Sequence, residues 1–260
     1  MIITLLTDFG NRDSFVAQMK GVILSVQPKA VIVDITHEIP PFGIRDAAYM
    51  LQSAYRRFPK KTIHVVVVDP GVGGKRRPLL VVNRFGRFLA PDNGVLSYIY
   101  HDHPSSEVYQ VTAEKYRLKP YSATFDGRDL FAPVAAWLTK GLAPSKLGKK
   151  ITDYVSFPVP DPKQRRDGSL QGQVIHIDRF GNLITNIMRQ DLTPWISDGK
   201  TAAIQIKGKT IDGLKLFYSE AVAGELAAVI NSDDRLEIFC DNGNARSILD
   251  ASLDEPVVVE

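Results

Sequence analysis

Apolar and polar positions in the first 155 or so residues follow two alternating patterns. Short runs are apolar almost throughout, and the segments between them carry apolar residues at the three- and four-residue spacing of a helix. The predicted strands lie at residues 2–6, 30–35, 62–69, 79–83 and 88–90, and the predicted helices at residues 13–26, 44–58, 94–100 and 129–139. Apolar strands that alternate with helices are typical of a parallel sheet covered on both faces.

The pattern changes after residue 156. Residues 157–171 are rich in proline and charge and have no hydrophobic period, which predicts a linker. Beyond it, short predicted strands are separated by Gly, Asn and Asp, at residues 172–177, 202–206, 209–211, 225–230, 236–240 and 257–259. We therefore expect an α/β N-terminal domain with a mostly parallel sheet (residues 1–156) and a smaller β-rich, antiparallel, barrel-like C-terminal domain (residues 172–260).

Composition argues against several classes of protein. The 260 residues include 32 basic and 29 acidic side chains, and a net charge of +3 is too small to predict a nucleic-acid-binding surface. A single cysteine, Cys240, excludes an internal disulfide and favours a cytoplasmic location. The N-terminus lacks the basic region of a signal peptide, and no apolar run approaches the roughly 18 residues of a spanning helix. We expect neither a nucleic acid nor a membrane as partner.

Polar clusters follow several predicted strands, where the loops of an α/β sheet meet at one crevice. Asp8 follows the first strand and can bind a vicinal diol or a metal, or cap the next helix. Asp69 opens a glycine-rich loop whose backbone N–H groups can approach a ligand, and Arg76 just after it can form a preorganised pair with Asp69. Asp126 is expected to point into the crevice while Asp129 caps a helix.

Three further clusters have a simple structural interpretation. Residues 91–94 (Pro-Asp-Asn-Gly) indicate a turn, and residues 101–103 (His-Asp-His) indicate a solvated loop in preference to a metal pair. Residues 176–186 place a carboxylate, an aromatic ring and amides close together, as in sites that stack a base and bind its polar edges. The alternative for this segment is a hairpin with Gly181 at its turn.

Seven short motifs follow one another along essentially the whole chain. They are TDFG at residues 7–10, IVDITHEIPP at 32–41, DPGVG at 69–73, APDNG at 90–94, TFDGRD at 124–129, IDRFGNLITNI at 177–187 and NS at 231–232. Together they resemble the S-adenosyl-L-methionine hydroxide adenosyltransferase family, the adenosine-forming S-adenosylmethionine hydrolases related to fluorinases and chlorinases. The resemblance implies an α/β and a β-rich domain, and a homotrimer with sites between the N-terminal domain of one subunit and the C-terminal domain of the next.

The activity that the resemblance implies is hydrolysis of S-adenosyl-L-methionine, a small-molecule substrate, to adenosine and L-methionine without metal or cofactor. Seven positions match the family's substrate-binding residues: Asp8 at the ribose diol; Asp178, Phe180 and Asn182 at the methionine part and beside the adenosine; Ser232 at the methionine carboxylate; and Cys240 and Asn242, through nearby backbone groups, at the adenine edge.

The resemblance also separates a water-using branch from a halide-using branch. Asp69 with Arg76 seven residues later is the pattern of the water-using branch, whereas the halide-using branch has tyrosine at the first position. One position departs from the family, because Asp126 stands where the water-using branch usually has histidine. We expect Asp69 to accept a proton or hydrogen bond from the attacking water, Arg76 to fix Asp69, and Asp126 to complete the shell of that water.

The substrate's chemistry is compatible with these residues alone. A sulfonium leaves as a neutral thioether, so the site needs an in-line nucleophile held close and no oxyanion hole. Three alternatives stay open. One is a halide-using 5′-halogenase, in which Asp69 and Asp126 would repel the anion. The others are a non-catalytic protein that binds an adenosyl ligand, and a metal-dependent hydrolase using Asp8, Asp69 and His101.

Overall fold

The structure is a computed structural model that describes residues 1–196 and 202–260. The chain divides into two compact units, Met1–Val159 and Pro160–Glu260. Every helix in the described residues is too short or too polar to cross a membrane.

The first unit is an α/β structure. Its strands are β1 (Ile2–Thr7), β2 (Val31–Thr36), β3 (Thr62–Val67), β4 (Pro78–Val82), β5 (Gly86–Pro91) and β6 (Glu107–Gln110), and its helices are α1 (Phe15–Val26), α2 (Ile44–Tyr55), α3 (Ser97–Asp102) and α4 (Ala132–Thr139). The strand order is β2-β1-β3-β5-β4-β6, with parallel pairing from β2 to β5 and β4 antiparallel to both of its neighbours. The predicted mostly parallel sheet is confirmed.

Strand β3 is buried along its whole length because helices cover both faces of the sheet. Ile63 and Val65 pack in a cluster with residues of α1 and α4, whereas Val66 packs with residues of α2 and α3 on the other face. Alternate side chains of a strand point to opposite faces, so an apolar run is needed to fill both layers. This two-sided core holds the carboxyl ends of β1 and β3 side by side.

The second unit is an antiparallel β structure. Its strands are β7 (Lys163–Gln164), β8 (Leu170–Ile177), β9 (Leu183–Met188), β10 (Ala203–Ile206), β11 (Lys209–Asp212), β12 (Leu226–Ile230), β13 (Arg235–Cys240) and β14 (Pro256–Val259), and its helices are α5 (Thr193–Ile196) and α6 (Ala245–Leu249). The strand order is β11-β10-β14-β8-β9-β13-β12, and β7 pairs with β8. The predicted β-rich, barrel-like architecture is confirmed.

Two elements of the second unit differ from the sequence pattern. β7 and the first residues of β8 form a strand pair inside the stretch that was expected to be a linker. β9 was not among the predicted strands and was anticipated only as the second arm of the alternative hairpin at Gly181; it carries the polar residues Thr185 and Asn186. In the structure these side chains are satisfied inside the sheet: the Thr185 hydroxyl donates to the Leu236 carbonyl at 2.8 Å, and the Asn186 Nδ2 donates to the Pro160 carbonyl at 2.9 Å.

The His-Asp-His segment is not the solvated loop that its polar neighbours suggested. Asp102 ends α3 and accepts hydrogen bonds from the Tyr55 hydroxyl at 3.0 Å and from Arg56 at 2.9 Å. His103 is buried, and its Nε2 lies 2.7 Å from the Tyr55 hydroxyl. The expectation was wrong because the tyrosine comes from α2, about 48 residues earlier, and local sequence gives no sign of it.

His64 makes the stability of the first unit sensitive to acid. Its ring is fully buried, stacks on Phe88 at 5.0 Å, and has its Nδ1 2.8 Å from the Thr4 hydroxyl. Burial lowers the pKa of His64 from 6.5 to about 4. As the pH falls below 6.5 the unfolded chain therefore binds this proton first, and stability that is complete above 6.5 is lost progressively down to about 4.

We expect His64→Gln to flatten the pH dependence of the free energy of unfolding between pH 6.5 and 4, by about 3 kcal/mol, as measured by urea titration. The matched control is His101→Gln, because the side chain of His101 is 46% exposed. Equal pH dependence in His64→Gln and the parent protein would contradict this assignment.

Candidate active site

A cleft in the first unit collects the carboxylates that follow its strands. Its volume is about 560 Å³, within the usual size of a small-molecule site. Asp8 after β1, Asp69 after β3 and Asp126 before α4 all line it. The structure thus brings together three positions that are 61 and 57 residues apart in the chain.

Asp8 lines the cleft and does not cap a helix. Its Oδ2 accepts a hydrogen bond from the backbone N–H of Phe42 at 2.9 Å, and Phe42 has a left-handed backbone with φ of 65°. Helix α1 begins only at Phe15, with Ser14 at its N-cap position. The capping alternative for Asp8 is therefore wrong, and the side chain remains on the cleft surface.

Arg76 joins two of the cleft carboxylates. Its Nε donates to Asp69 Oδ2 at 2.8 Å, and its Nη2 also donates to Asp126 Oδ2. Burial opposes the charged form of Arg76, but the hydrogen bonds to both aspartates outweigh burial and raise its pKa. Arg76 lines a second cavity of about 360 Å³ that shares Asp126 with the cleft, so it holds the carboxylates without lining the cleft itself.

The glycine-rich loop after β3 makes this arrangement possible. Gly73 has φ of 75°, and a Cβ there would lie 2.5 Å from the backbone oxygen of Ala123. No other residue type fits that approach without moving the loop. The loop and the segment that carries Asp126 can therefore come together only through a glycine at this position.

One carboxylate oxygen of Asp69 lacks a hydrogen bond within the described residues. Its side chain is 4% exposed, and Oδ1 is buried with no hydrogen-bond partner among the described residues. Leaving a buried acceptor unsatisfied costs roughly 1–3 kcal/mol, so a bound water or substrate hydroxyl is expected to fill the position. Arg76 already donates to Oδ2, so Oδ1 is the oxygen that still lacks a hydrogen bond within the described residues.

Arg117 is a site residue that the sequence analysis missed. Its Nη2 donates to Asp126 Oδ1 at 2.7 Å, and it lines the second cavity together with Arg76. In the sequence it stands between Lys115 and Lys119, a pattern typical of a solvated basic loop. The signal available in the sequence was Asp126, an acidic residue expected to point into the crevice, which would need a counter-charge.

Asp129 fixes the segment that carries Asp126, and it does not cap a helix as expected. It is fully buried, accepts the Ser122 backbone N–H at 2.7 Å and pairs with Arg128 at 2.6 Å. Burial raises the pKa of Asp129, but Arg128 and Ser122 outweigh burial and lower it below its usual range. The chain then enters α4 through one π-helical turn, Gly127–Phe131.

The neighbouring arginine serves a different purpose. Arg77 donates to Asp92 Oδ2 at 2.8 Å and to Asp153 Oδ1 at 2.9 Å. Asp92 also accepts the Val155 backbone N–H at 2.7 Å. The Pro-Asp-Asn-Gly turn thus anchors the end of the first unit, and Arg76 alone of the two arginines reaches the cleft carboxylates.

Three phenylalanines form an apolar wall beside the carboxylates. Phe9, Phe15 and Phe125 all line the cleft, and their ring centroids lie 5.4–5.7 Å apart in tilted or edge-to-face contacts. An apolar wall next to carboxylates suits a ligand with an organic body and a positive charge.

In the second unit, Asp178 organises the turn between β8 and β9. Its Oδ1 accepts the backbone N–H groups of Phe180 and Asn182, each at 2.9 Å, and its Oδ2 accepts the Asn182 side chain at 3.1 Å. Gly181 stands at the turn with φ of 84°, so the hairpin interpretation is confirmed. The turn leaves the Phe180 side chain 72% exposed and available for stacking.

The remaining predicted positions lie around β13. Ser232 is exposed in the turn before this strand, Cys240 is buried at its end, and Asn242 follows with φ of 52°. The turn at Gly181 contacts the same region, since its carbonyl accepts the Arg246 backbone N–H at 2.9 Å.

Sequence analysis also missed a buried acid in β13. Glu237 accepts hydrogen bonds from the Tyr218 hydroxyl at 2.9 Å and from Asn231 at 3.0 Å. Burial raises the pKa of Glu237, and the nearby charge of Asp178 raises it further, while hydrogen bonds from Asn231, Tyr218 and Asn182 partly offset the rise. Glu237 thus links the Asp178 turn to the segment that contains Ser232.

Comparisons with known proteins agree over both units. Family models described as the SAM hydroxide adenosyltransferase N-terminal and C-terminal domains match residues 3–148 and 172–258. An (R)-S-adenosyl-L-methionine hydrolase of Methanocaldococcus jannaschii is 35% identical over 99% of this chain and 95% of its own, and one of Thermus thermophilus is 32% identical over 97% and 96%.

Other relatives include a protein with a different named activity and a solved crystal structure. A fluorinase of Nocardia brasiliensis is 30% identical over 88% of this chain and 85% of its own. The crystal structure of an uncharacterized conserved protein from Thermotoga maritima superposes with a TM-score of 0.92 at 32% identity, covering 100% of this chain and 99% of that one. The chain belongs to the SAM hydroxide adenosyltransferase family.

Proposed function

We propose that this protein is an enzyme that hydrolyses S-adenosyl-L-methionine to adenosine and L-methionine. The observation that carries the proposal is Asp69 Oδ1, a buried carboxylate oxygen without a partner among the described residues, on a side chain that lines the cleft. The (R)-S-adenosyl-L-methionine hydrolases among its relatives support the same reaction.

The reaction is a displacement at the ribose 5′ carbon. A water hydrogen-bonded to Asp69 Oδ1 forms the new carbon–oxygen bond, and the electron pair of the carbon–sulfur bond stays on the methionine sulfur as a neutral thioether. The water's proton passes to Asp69 and then to solvent. Arg76 fixes the carboxylate during this step. Positioning of a nucleophile in this way contributes up to roughly 7–11 kcal/mol.

The charges of the cleft suit a cation and oppose a halide. Asp8, Asp69, Asp126 and Arg128 line it, and Arg128 is paired with Asp129, whereas Arg76 and Arg117 line the second cavity. Asp69 and Asp126 are balanced by Arg76 and Arg117, and Asp8 adds a further negative charge, so the cleft favours a sulfonium over a halide ion. Water is therefore the nucleophile that the geometry supports best. We propose that Asp8 binds the ribose diol at the rim.

The methionine and adenine contacts that we propose lie on the second unit, at Asp178, Phe180, Asn182 and Ser232 and at the backbone near Cys240 and Asn242. We further propose a homotrimer in which the C-terminal domain of a neighbouring subunit supplies these contacts. Sedimentation equilibrium measures the assembly; a fully active monomer would contradict it. Independence from cofactors and a cytoplasmic location are part of the same proposal.

The reaction is tested by incubating the purified protein with S-adenosyl-L-methionine, with and without chloride and with and without a chelator. Adenosine, 5′-chloro-5′-deoxyadenosine and methionine are separated by chromatography. We expect adenosine and methionine in equal amounts and at the same rate under all conditions. A chlorinated product would show that the protein is a halogenase. Loss of activity with the chelator would show a metal-dependent enzyme. Ligand that stays bound and unchanged would show a binding protein.

A further inference from the structure

Four charged side chains form a continuous chain that joins residues lining the cleft to residues lining the second cavity. Asp69 pairs with Arg76 at 2.6 Å, Arg76 pairs with Asp126, and Asp126 pairs with Arg117 at 2.7 Å. The side chains of the four residues are between 4% and 18% exposed. Two carboxylates thus alternate with two guanidinium groups, and the chain as a whole is neutral.

Asp126 depends on the two guanidinium groups for all of its hydrogen bonds within the described parts of the chain. Arg76 donates to Oδ2 and Arg117 to Oδ1, and no backbone N–H or hydroxyl group contributes. A polar side chain that is 7% exposed needs such partners, since an unpaired buried carboxylate is costly. Removing Arg117 would leave Asp69 and Asp126 to share the single charge of Arg76.

We propose that Arg117 is a positioning residue that keeps Asp126 ionised and in place, so that both carboxylates of the cleft remain hydrogen-bond acceptors for the attacking water. The inference rests on the proposed hydrolysis. Arg117 lines the second cavity and not the cleft, so it acts through Asp126 and not on the substrate. Without it, repulsion between two carboxylates would favour uptake of one shared proton.

Other charged groups around this chain have partners of their own. The Arg117 Nη1 also donates to Glu114 at 3.1 Å, and its guanidinium lies 4.5 Å from the ring centre of Tyr121. Burial raises the pKa of Asp129 and the charge of Arg117 helps to lower it, but the hydrogen-bonded partner of Asp129 is Arg128. Asp8 lines the same cleft and adds a further negative charge on that side. Glu114 is 57% exposed, which makes it the matched control.

The test compares Arg117→Gln with Glu114→Gln in the pH profile of kcat. Arg117→Gln is expected to move the acid limb upward by about one pH unit or more and to leave KM within a few-fold of the parent value. Glu114→Gln and Arg117→Lys are expected to keep the parent's acid limb. An unchanged limb in folded Arg117→Gln would overturn the inference. If that variant does not fold, Arg117→Met carries the same prediction.

A second readout separates this inference from the proposed reaction. Infrared difference spectra between alkaline and mildly acidic pH should show a protonated carboxyl band in Arg117→Gln in addition to the carboxyl bands of the parent, and this additional band should be absent from the double variant Asp126→Asn/Arg117→Gln. This measurement needs no turnover. If the parent makes no adenosine the proposed function fails, while the presence or absence of the band still decides the role of Arg117.

Discussion

Replacing Asp69 with asparagine is expected to lower kcat by roughly 10²–10⁴-fold while KM for S-adenosyl-L-methionine changes by less than about threefold. Asparagine keeps the size of the side chain but cannot accept a proton from water. The loss falls on kcat because Asp69 Oδ1 is proposed to act on the nucleophile, whereas the proposed substrate contacts are made by other residues, Asp8 among them.

The matched control is Asp92→Asn. Asp92 is also a buried carboxylate after a strand, and it pairs with the arginine next to Arg76. Its loss should lower the urea midpoint without a comparable fall in kcat. Steady-state kinetics with adenosine detection checks both variants. Equal losses in kcat and in substrate affinity for Asp69→Asn would argue against its role as acceptor for the attacking water.

Sequence patterns are sufficient to predict the framework that places Asp69. The apolar run that ends near Asp69 requires cover on both faces, which helices on both sides of the sheet provide. The carboxyl ends of adjacent parallel strands lie at one edge, so Asp8 and Asp69 had to approach each other once β1 paired with β3. These inferences depend only on local periodicity and on the rules of parallel sheets.

Residues whose environment is created by irregular backbone could not be predicted in the same way. Arg117 looks like a surface cation until the loop at Gly73 brings Asp126 beside it. Asp129 has the position of a helix cap but folds back onto Ser122, because a π-helical turn replaces the regular start of the helix. In each case the partner is seven or nine residues away, and the irregular backbone that brings the two together has no hydrophobic period by which to predict it.

The same limit explains the polar residues of the second unit. Glu237 lies in a strand whose six residues are all buried, where an apolar side chain would be expected. Its partners Tyr218 and Asn231 stand 19 and 6 residues away, on separate turns. Buried polar groups are retained only where such partners exist, and the strand pattern does not contain that information.

Arg76 is the residue on which the two carboxylates depend most, and Arg76→Lys is expected to lower kcat by about 10²-fold. An ammonium group is a single compact donor centre and cannot reproduce the fork that binds Asp69 through Nε while Nη2 also reaches Asp126. One carboxylate would then lose its fixed orientation. Kinetic assays at saturating substrate measure the loss.

Arg77→Lys is the control that the chain itself provides. Arg77 is adjacent in sequence and also pairs with two aspartates, Asp92 and Asp153, but neither of them lines the cleft. Its substitution should therefore change the urea midpoint and leave kcat within about twofold of the parent value. A comparable loss of kcat in both lysine variants would mean that arginine at these positions supports the fold in general and does not orient Asp69. A selective loss in Arg76→Lys ties turnover to the orientation of the two carboxylates that Arg76 binds, because the charge of the side chain is the same in every variant compared.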